Sequence, residues 1–205
     1  MLDFKCWASL KWWSHVFQIL PSSDDPYNKL IQSGLFVQIA MKDLPQIPWL
    51  RSIREPTVTG EALICPFSEL HGQILDLSMR NFRSLDETSR NAIEPVLQGI
   101  VRSASEASVE YNDLKMVLAE KHEYRGQDTI VSTIRQICFA IGESFYDVQE
   151  GKNSRRRYVK CEVRFVQYEA EFDMNLWRAF SAGINDASKT ACHDFVKSRT
   201  ICVPI

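Results

Sequence analysis

The sequence predicts an α+β domain, an antiparallel sheet with two central helices packed on one side, and three observations carry that reading. Strand-like and helix-like patterns follow one another from Thr59 to Glu120 with little slack between them. Val159 to Gln167 reads as a strand with alternating faces. The two candidate helices each carry a single apolar stripe. A sheet and helices of this kind bury their apolar surfaces against one another.

The chain opens with Phe4, Trp7, Trp12, Trp13 and Phe17, closed by Pro21. Cys6, Leu10, Trp13, Phe17 and Leu20 recur at the spacing of one helix face, which Trp12 and Val16 widen. Lys5 and Lys11 flank that face, and indole favours the headgroup layer of a bilayer. Phe4, Trp7, Leu10, Trp12, Trp13 and Phe17 are therefore candidate membrane-binding residues. The same stripe also suits a helix docked on the protein's own core or on a partner protomer. Pro21 to Leu30 is polar and reads as a linker, so residues 1–30 form an arm and residues 31–205 one globular domain.

Gly34 to Met41 is apolar on both alternating faces and reads as a buried strand. Asp43 to Pro56 holds three prolines and is read as irregular, with Trp49 exposed. Its apolar residues either pack over the core or form a docking surface, and Pro45, Pro48, Trp49 and Leu50 are candidates for self-association. Thr59 to Cys65 reads as a short strand stopped by Pro66. Ser68 is placed to cap a helix with Leu70, Ile74 and Leu77 on its inner face. Asp86 caps the next, whose face is Ile93, Val96, Leu97, Ile100 and Val101, with Pro95 kinking it or starting a second piece. Beyond the serine-rich Ser103 to Ser108, a strand follows with Leu114, Met116 and Leu118 on one face.

Gly126 turns the chain. Thr129 to Phe145 fits a helix by its isoleucine spacing and a strand by its β-branched content; strand is preferred. Asp147 to Arg157 reads as a polar loop ending in the densest cluster of positive charge. Lys152, Arg155, Arg156, Arg157 and Lys160 are accordingly candidates for contact with phosphates of lipid headgroups or RNA. Val159, Cys161, Val163, Phe165 and Gln167 alternate against Lys160, Glu162, Arg164 and Val166, a half-buried strand expected beside the Leu114 to Leu118 strand. Asp173 or Asn175 caps a short helix with Leu176, Trp177 and Phe180, closed by Gly183. Asn185 or Asp186 starts the last helix, and Thr200 to Ile205 reads as a short strand.

At 205 residues and 45% hydrophobic content the chain can bury one sizeable core. A formal charge of −2 supplies no global field for nucleic acid. Six cysteines without a CxxC pair or a secretory-signal pattern suit reduced thiols in a cytosolic setting. No apolar run reaches the roughly 20 residues that span a bilayer.

No GxSxG, P-loop or HExxH pattern occurs. Cys192 and His193 are adjacent, and neighbouring helical side chains diverge by about 100°. Pairing of His122 with Cys138 or Cys161, or of Glu169 with Glu171, is weaker than core and surface roles for the same residues. A catalytic site, a cofactor and a metal are not expected.

The strand, helix, helix, strand order resembles the core of rhabdovirus matrix proteins, above all their lyssavirus branch. The likeness lies in Gly60 to Cys65, ILDLS at Ile74 to Ser78, the spacing of Arg90, Ile93, Val96 and Ile100, Tyr111 with Leu114 and Lys115, and Tyr158 to Phe172. It covers about two thirds of the chain. It implies a structural protein beneath the viral envelope that binds anionic lipid of the inner leaflet, self-associates, condenses the nucleocapsid and drives virion assembly and budding. Host budding or gene-expression factors are further implied partners, and host cytoplasm and the inner face of host membranes are implied locations. The family's PPxY budding motif is reduced here to Asp25, Pro26 and Tyr27, and the chain lacks the family's usual basic charge. A soluble adaptor or host antagonist that grips a protein groove with the aromatic arm is the alternative.

Overall fold

The computed structural model describes residues 37–38, 41–106, 114–125, 129–149, 155–184 and 186–199. Its strands are Leu50–Pro66 (β1), Leu114–Tyr124 (β2), Ile130–Gln149 (β3) and Arg155–Phe172 (β4). They form one antiparallel sheet in the order β1-β4-β3-β2. Helices Leu70–Asn81 (α1) and Glu87–Glu106 (α2) link β1 to β2, and Met174–Ser181 (α3) and Asp186–Arg199 (α4) follow β4. The α+β class and the antiparallel sheet are as the sequence predicts.

The two central helices lie on one face of the sheet because their apolar stripes match its pleat. Leu70, Ile74 and Leu77 of α1 and Ile93, Leu97 and Val101 of α2 meet Ile137, Phe139, Val159, Cys161, Val163 and Phe165 in one core. Removing each large side chain from water contributes about 1.5–3 kcal/mol. Phe82, just after α1, meets Phe165 edge to face at a centroid distance of 5.5 Å. On β2 the inward positions are Val117 and Ala119, whereas the sequence reading placed Leu114, Met116 and Leu118 on the apolar face; the side chains of those three lie outside the described set.

The opposite face is also buried, by a second cluster that the sequence reading did not foresee. Leu44, Ile47, Trp49 and Leu50 pack there against Ile130, Ile134, Tyr168, Ala170, Phe172 and Trp177. Two expectations are corrected by it. Residues 37–38 and 41–43 are helical rather than extended, and Val37 and Leu44 are buried. A short run apolar on all sides fits a buried helix as well as a strand. Trp49, read as exposed, retains 2% of its surface.

β1 begins at Leu50, well before Thr59, and runs through Pro56. Register shifts between Ser52 and Arg54 and between Arg54 and Thr57 accommodate the proline on an edge strand, where its missing N–H breaks no interior ladder. Across these rungs Arg51 is paired with Glu171 and Arg54 lies 3.8 Å from Glu169. β4 lies between β1 and β3, which corrects the expected pairing of β4 with β2. Short connections make β2, β3 and β4 a meander, so β3 separates the other two.

Helix ends follow local chemistry. Asp86 Oδ1 accepts from the Ser89 N–H at 2.8 Å, and Asp173 Oδ1 accepts from the Asn175 and Leu176 N–H groups at 2.9 Å each. Ser68 does not cap α1; it lies in a 3-10 turn, Phe67–Glu69, that leads directly into the helix. Pro95 sits inside a continuous α2. No helix among the described residues is long and apolar enough to cross a membrane.

Candidate functional site: a basic cleft beside the central helices

A cleft of about 540 Å³ opens where the start of α1, the later part of α2 and the first residues of β4 converge. Phe67, Ser68 and His71 line it from the α1 side, and no side chain caps the start of that helical segment. Gln98, Val101 and Arg102 contribute from α2, spaced so that Gln98 and Arg102 stand one turn apart beside the buried Val101. Arg156 and Arg157 close it from β4.

Three guanidiniums, those of Arg102, Arg156 and Arg157, share the lining; the Glu69 carboxylate lies 3.4 Å from Arg156 Nη1, and Arg157 stands opposite Asp147 in the β3–β4 register. All three arginines are exposed, so solvent screens each one and no single contact is strong. A ligand that meets several together gains from the planar, forked donors of each. The arrangement suits an anion.

The sequence-based phosphate candidates divide accordingly. Arg156 and Arg157 line the cleft; Lys160 is exposed on β4 outside its lining. Arg155 belongs to the same strand, its side chain outside the described set, and Lys152 lies outside the described residues. The expected polar loop is shorter than read, because Asp147 to Gln149 and Arg155 to Arg157 pair across β3 and β4. Arg102 and His71 were missed. The available signal was the position of Arg102 at the margin of the apolar stripe of α2, one residue past Val101.

The six aromatic and apolar arm candidates, Phe4, Trp7, Leu10, Trp12, Trp13 and Phe17, lie outside the described residues. So do Asp25 to Tyr27, Gly126 and the final strand expected from Thr200. Among the self-association candidates, Trp49 and Leu50 are packed within their own chain, the packing alternative of the two readings. Pro45 and Pro48 border a larger recess of about 990 Å³, together with Tyr124 and Leu176.

The thiol candidates are core residues. Cys138 and Cys161 are 0% and 1% exposed, and burial pushes both thiols up to about 12. Cys65, also buried, is raised by the same cause. His122 sits 2.7 Å from Ser132 Oγ and 3.4 Å from Glu120, while Cys138 pairs in register with Met116, about 20 Å along the strand. Glu169 and Glu171 are occupied by Arg54 and Arg51. No group of His, Cys, Asp and Glu among the described residues has the geometry of a metal site.

No family model and no curated protein matches this chain. Among solved structures it is similar to the activated Cyt2Ba monomer from Bacillus thuringiensis subsp. israelensis, with 8% identity, 67% of this chain and 80% of that chain covered, and a TM-score of 0.40. It is also similar to a delta-endotoxin, with 9% identity, 67% and 68% coverage, and a TM-score of 0.36.

Proposed function

We propose that this chain is a non-enzymatic structural protein of the rhabdovirus matrix type. In this reading it lies beneath the envelope of a virion and against the inner leaflet of host membranes. It associates with itself, condenses the nucleocapsid and drives assembly and budding. The observation that carries the membrane part is the convergence of Arg102, Arg156 and Arg157 in one cleft, a surface for anionic headgroups. The aromatic arm supplies an apolar anchor in the sequence, and two weak anchors on one chain hold a bilayer where one does not.

The test is flotation of the full chain, and of a chain beginning at Asp24, on vesicles with and without anionic lipid. Flotation that needs both the arm and anionic lipid is expected, and replacing Trp7, Trp12 and Trp13 together by Ala abolishes it. Absence of flotation by the full chain overturns the membrane part. The alternative is a soluble adaptor whose aromatic arm grips a groove on a protein partner. It predicts a defined stoichiometry with one protein and no lipid affinity.

A further inference from the structure

We propose that the aromatic arm, residues 1–20, docks on its own chain over β3, on the sheet face opposite α1 and α2, and is withheld from a bilayer until it leaves. The docking stands apart from the membrane reading, and only the release rests on it.

Burial along two rungs of the sheet carries the proposal. Gly60, Arg164 and Cys138 share one rung of that face, and Val58, Val166 and Gln136 share the next. On the first, Gly60 is exposed, the Arg164 side chain is 38% exposed and Cys138 is 0% exposed. On the second, Val58 is half-buried, Val166 is 1% exposed and Gln136 is 0% exposed. Neighbours within a sheet do not close its face to water, so a further layer lies over β3 and stops short of β1. Cys138 and Val166 belong to neither core cluster. A helix about 10–12 Å across covers two strands about 4.8 Å apart and leaves the third open.

One segment has the size and chemistry of that layer. Outside the described residues, 107–113, 126–128, 150–154 and 200–205 are each shorter than two helical turns. Residues 1–36 are long enough, and they join the described chain at Val37, buried and shortly ahead of Leu44 in the core of this same face. The stripe from Cys6 to Leu20 spans about 21 Å as a helix, against about 20 Å along β3 from Ile134 to Ala140. Gln136 has no hydrogen-bond partner for its amide among the described residues, and an indole N–H of the arm offers one. Helix α4 keeps Ala187 and Ala191 exposed, so its small apolar side chains are not spent on the sheet.

The experiment replaces Trp13 by the photo-crosslinker benzoylphenylalanine in the full chain, irradiates dilute protein and maps the adduct by mass spectrometry. An adduct of monomer mass between position 13 and this face of β3 or β4 is expected. An adduct of dimer mass, an adduct elsewhere, or none overturns the proposal. In a second measurement, Trp13→Asp combined with Phe17→Asp speeds alkylation of Cys138 about tenfold or more. Cys161, beneath α1 and α2 on the other face, keeps its rate. An unchanged Cys138 rate overturns the docking. Should Cys161 react as fast, the variant has unfolded and the crosslink in the folded chain decides. Crosslinking is repeated with vesicles of phosphatidylcholine and phosphatidylserine. Flotation with loss of the intramolecular adduct supports release, and flotation with the adduct retained overturns it. The adduct without flotation supports the docking and removes the membrane reading.

Discussion

Asp86 and Lys121 are joined by a contact of 2.5 Å, so one carboxylate both caps α2 and ties it to β2. The Lys121 hydrogen bond, followed by those from Ser89, holds the Asp86 carboxyl well below the usual carboxylate range. Lys121 is raised in turn, chiefly by its bond to Asp86. A depressed carboxyl contributes stability above its unfolded value, about 3.9, and loses it as pH falls toward the folded value. Asp86→Ala is expected to cost about 1–2 kcal/mol near neutral pH. Asp86→Asn, which still caps but carries no charge, costs less because the half-exposed pair is screened. Urea unfolding at neutral and strongly acidic pH checks both, and the difference from the parent protein shrinks in acid.

Trp49 forms the centre of an aromatic group, 5.0 Å from Trp177 and 4.6 Å from Phe180 between ring centroids. Trp49→Ala is expected to cost about 3–5 kcal/mol, since a cavity replaces one of the two tryptophans of the second core. A double-mutant cycle with Trp177→Ala gives a coupling of about 0.5–1.5 kcal/mol. Loss of near-ultraviolet circular dichroism in the single variants is the accompanying signature.

Ser84 has a positive φ of 54° in the connection between α1 and α2. Arg135 Nη2 donates to the carbonyls of Arg83 and Ser84 at 3.1 Å, and Gln167 Oε1 accepts from the Arg83 N–H at 2.7 Å, so the sheet fixes this backbone. Ser84→Gly removes a left-handed cost of about 1 kcal/mol but adds unfolded-state entropy, for a net gain of a few tenths. Arg135→Ala is expected to lower stability by about 3 kcal/mol, because Arg135 is 3% exposed and its loss removes the Ser84 carbonyl's donor, while the Arg83 carbonyl keeps Gln167 Nε2 at 3.3 Å. Urea midpoints measure both effects.

Cys138 and Cys161 are expected to resist alkylation at neutral pH and to react once the chain is unfolded. Their thiols, at about 12 in the folded protein, stay protonated there. Above the unfolded value of about 8.5 the unfolded chain loses these protons first, so stability declines as pH rises toward 12. Replacing both by Ala flattens that decline, measurable by denaturation across alkaline pH. Rapid labelling of either thiol in native protein would overturn this expectation.

Where burial differs sharply between alternate positions, the pattern is visible in the sequence. Val159, Cys161, Val163 and Phe165 all lie at 1% exposure or less, and their alternation with Lys160, Glu162 and Arg164 is the strand itself. The stripe from Ile93 to Val101 and the caps at Asp86 and Asp173 are equally local. The second core was not legible, because it joins Leu44 and Trp49 to Trp177 from the far end of the domain and no local period encodes that meeting. Proline content also misled. Pro56 argues against a strand only when edge and interior positions are equivalent, and β1 is an edge. At the cleft, the arginine run pointed to Arg156 and Arg157, while Arg102 arrives only through packing of α2 against the sheet.

The pairing of β1 with β4 sets the order in which the chain can assemble. Leu50 faces Phe172 and Pro66 faces Tyr158, whereas β2, β3 and β4 meet through neighbouring hairpins. Nearby partners find one another early, and distant ones only after a long loop has closed. The meander can therefore form as a nucleus, with β1 docking late and completing both cores at once through Cys65 and Leu50. During synthesis β1 emerges long before β4, its sheet partner among the described residues, so the chain waits for β4 before it becomes a cooperative unit.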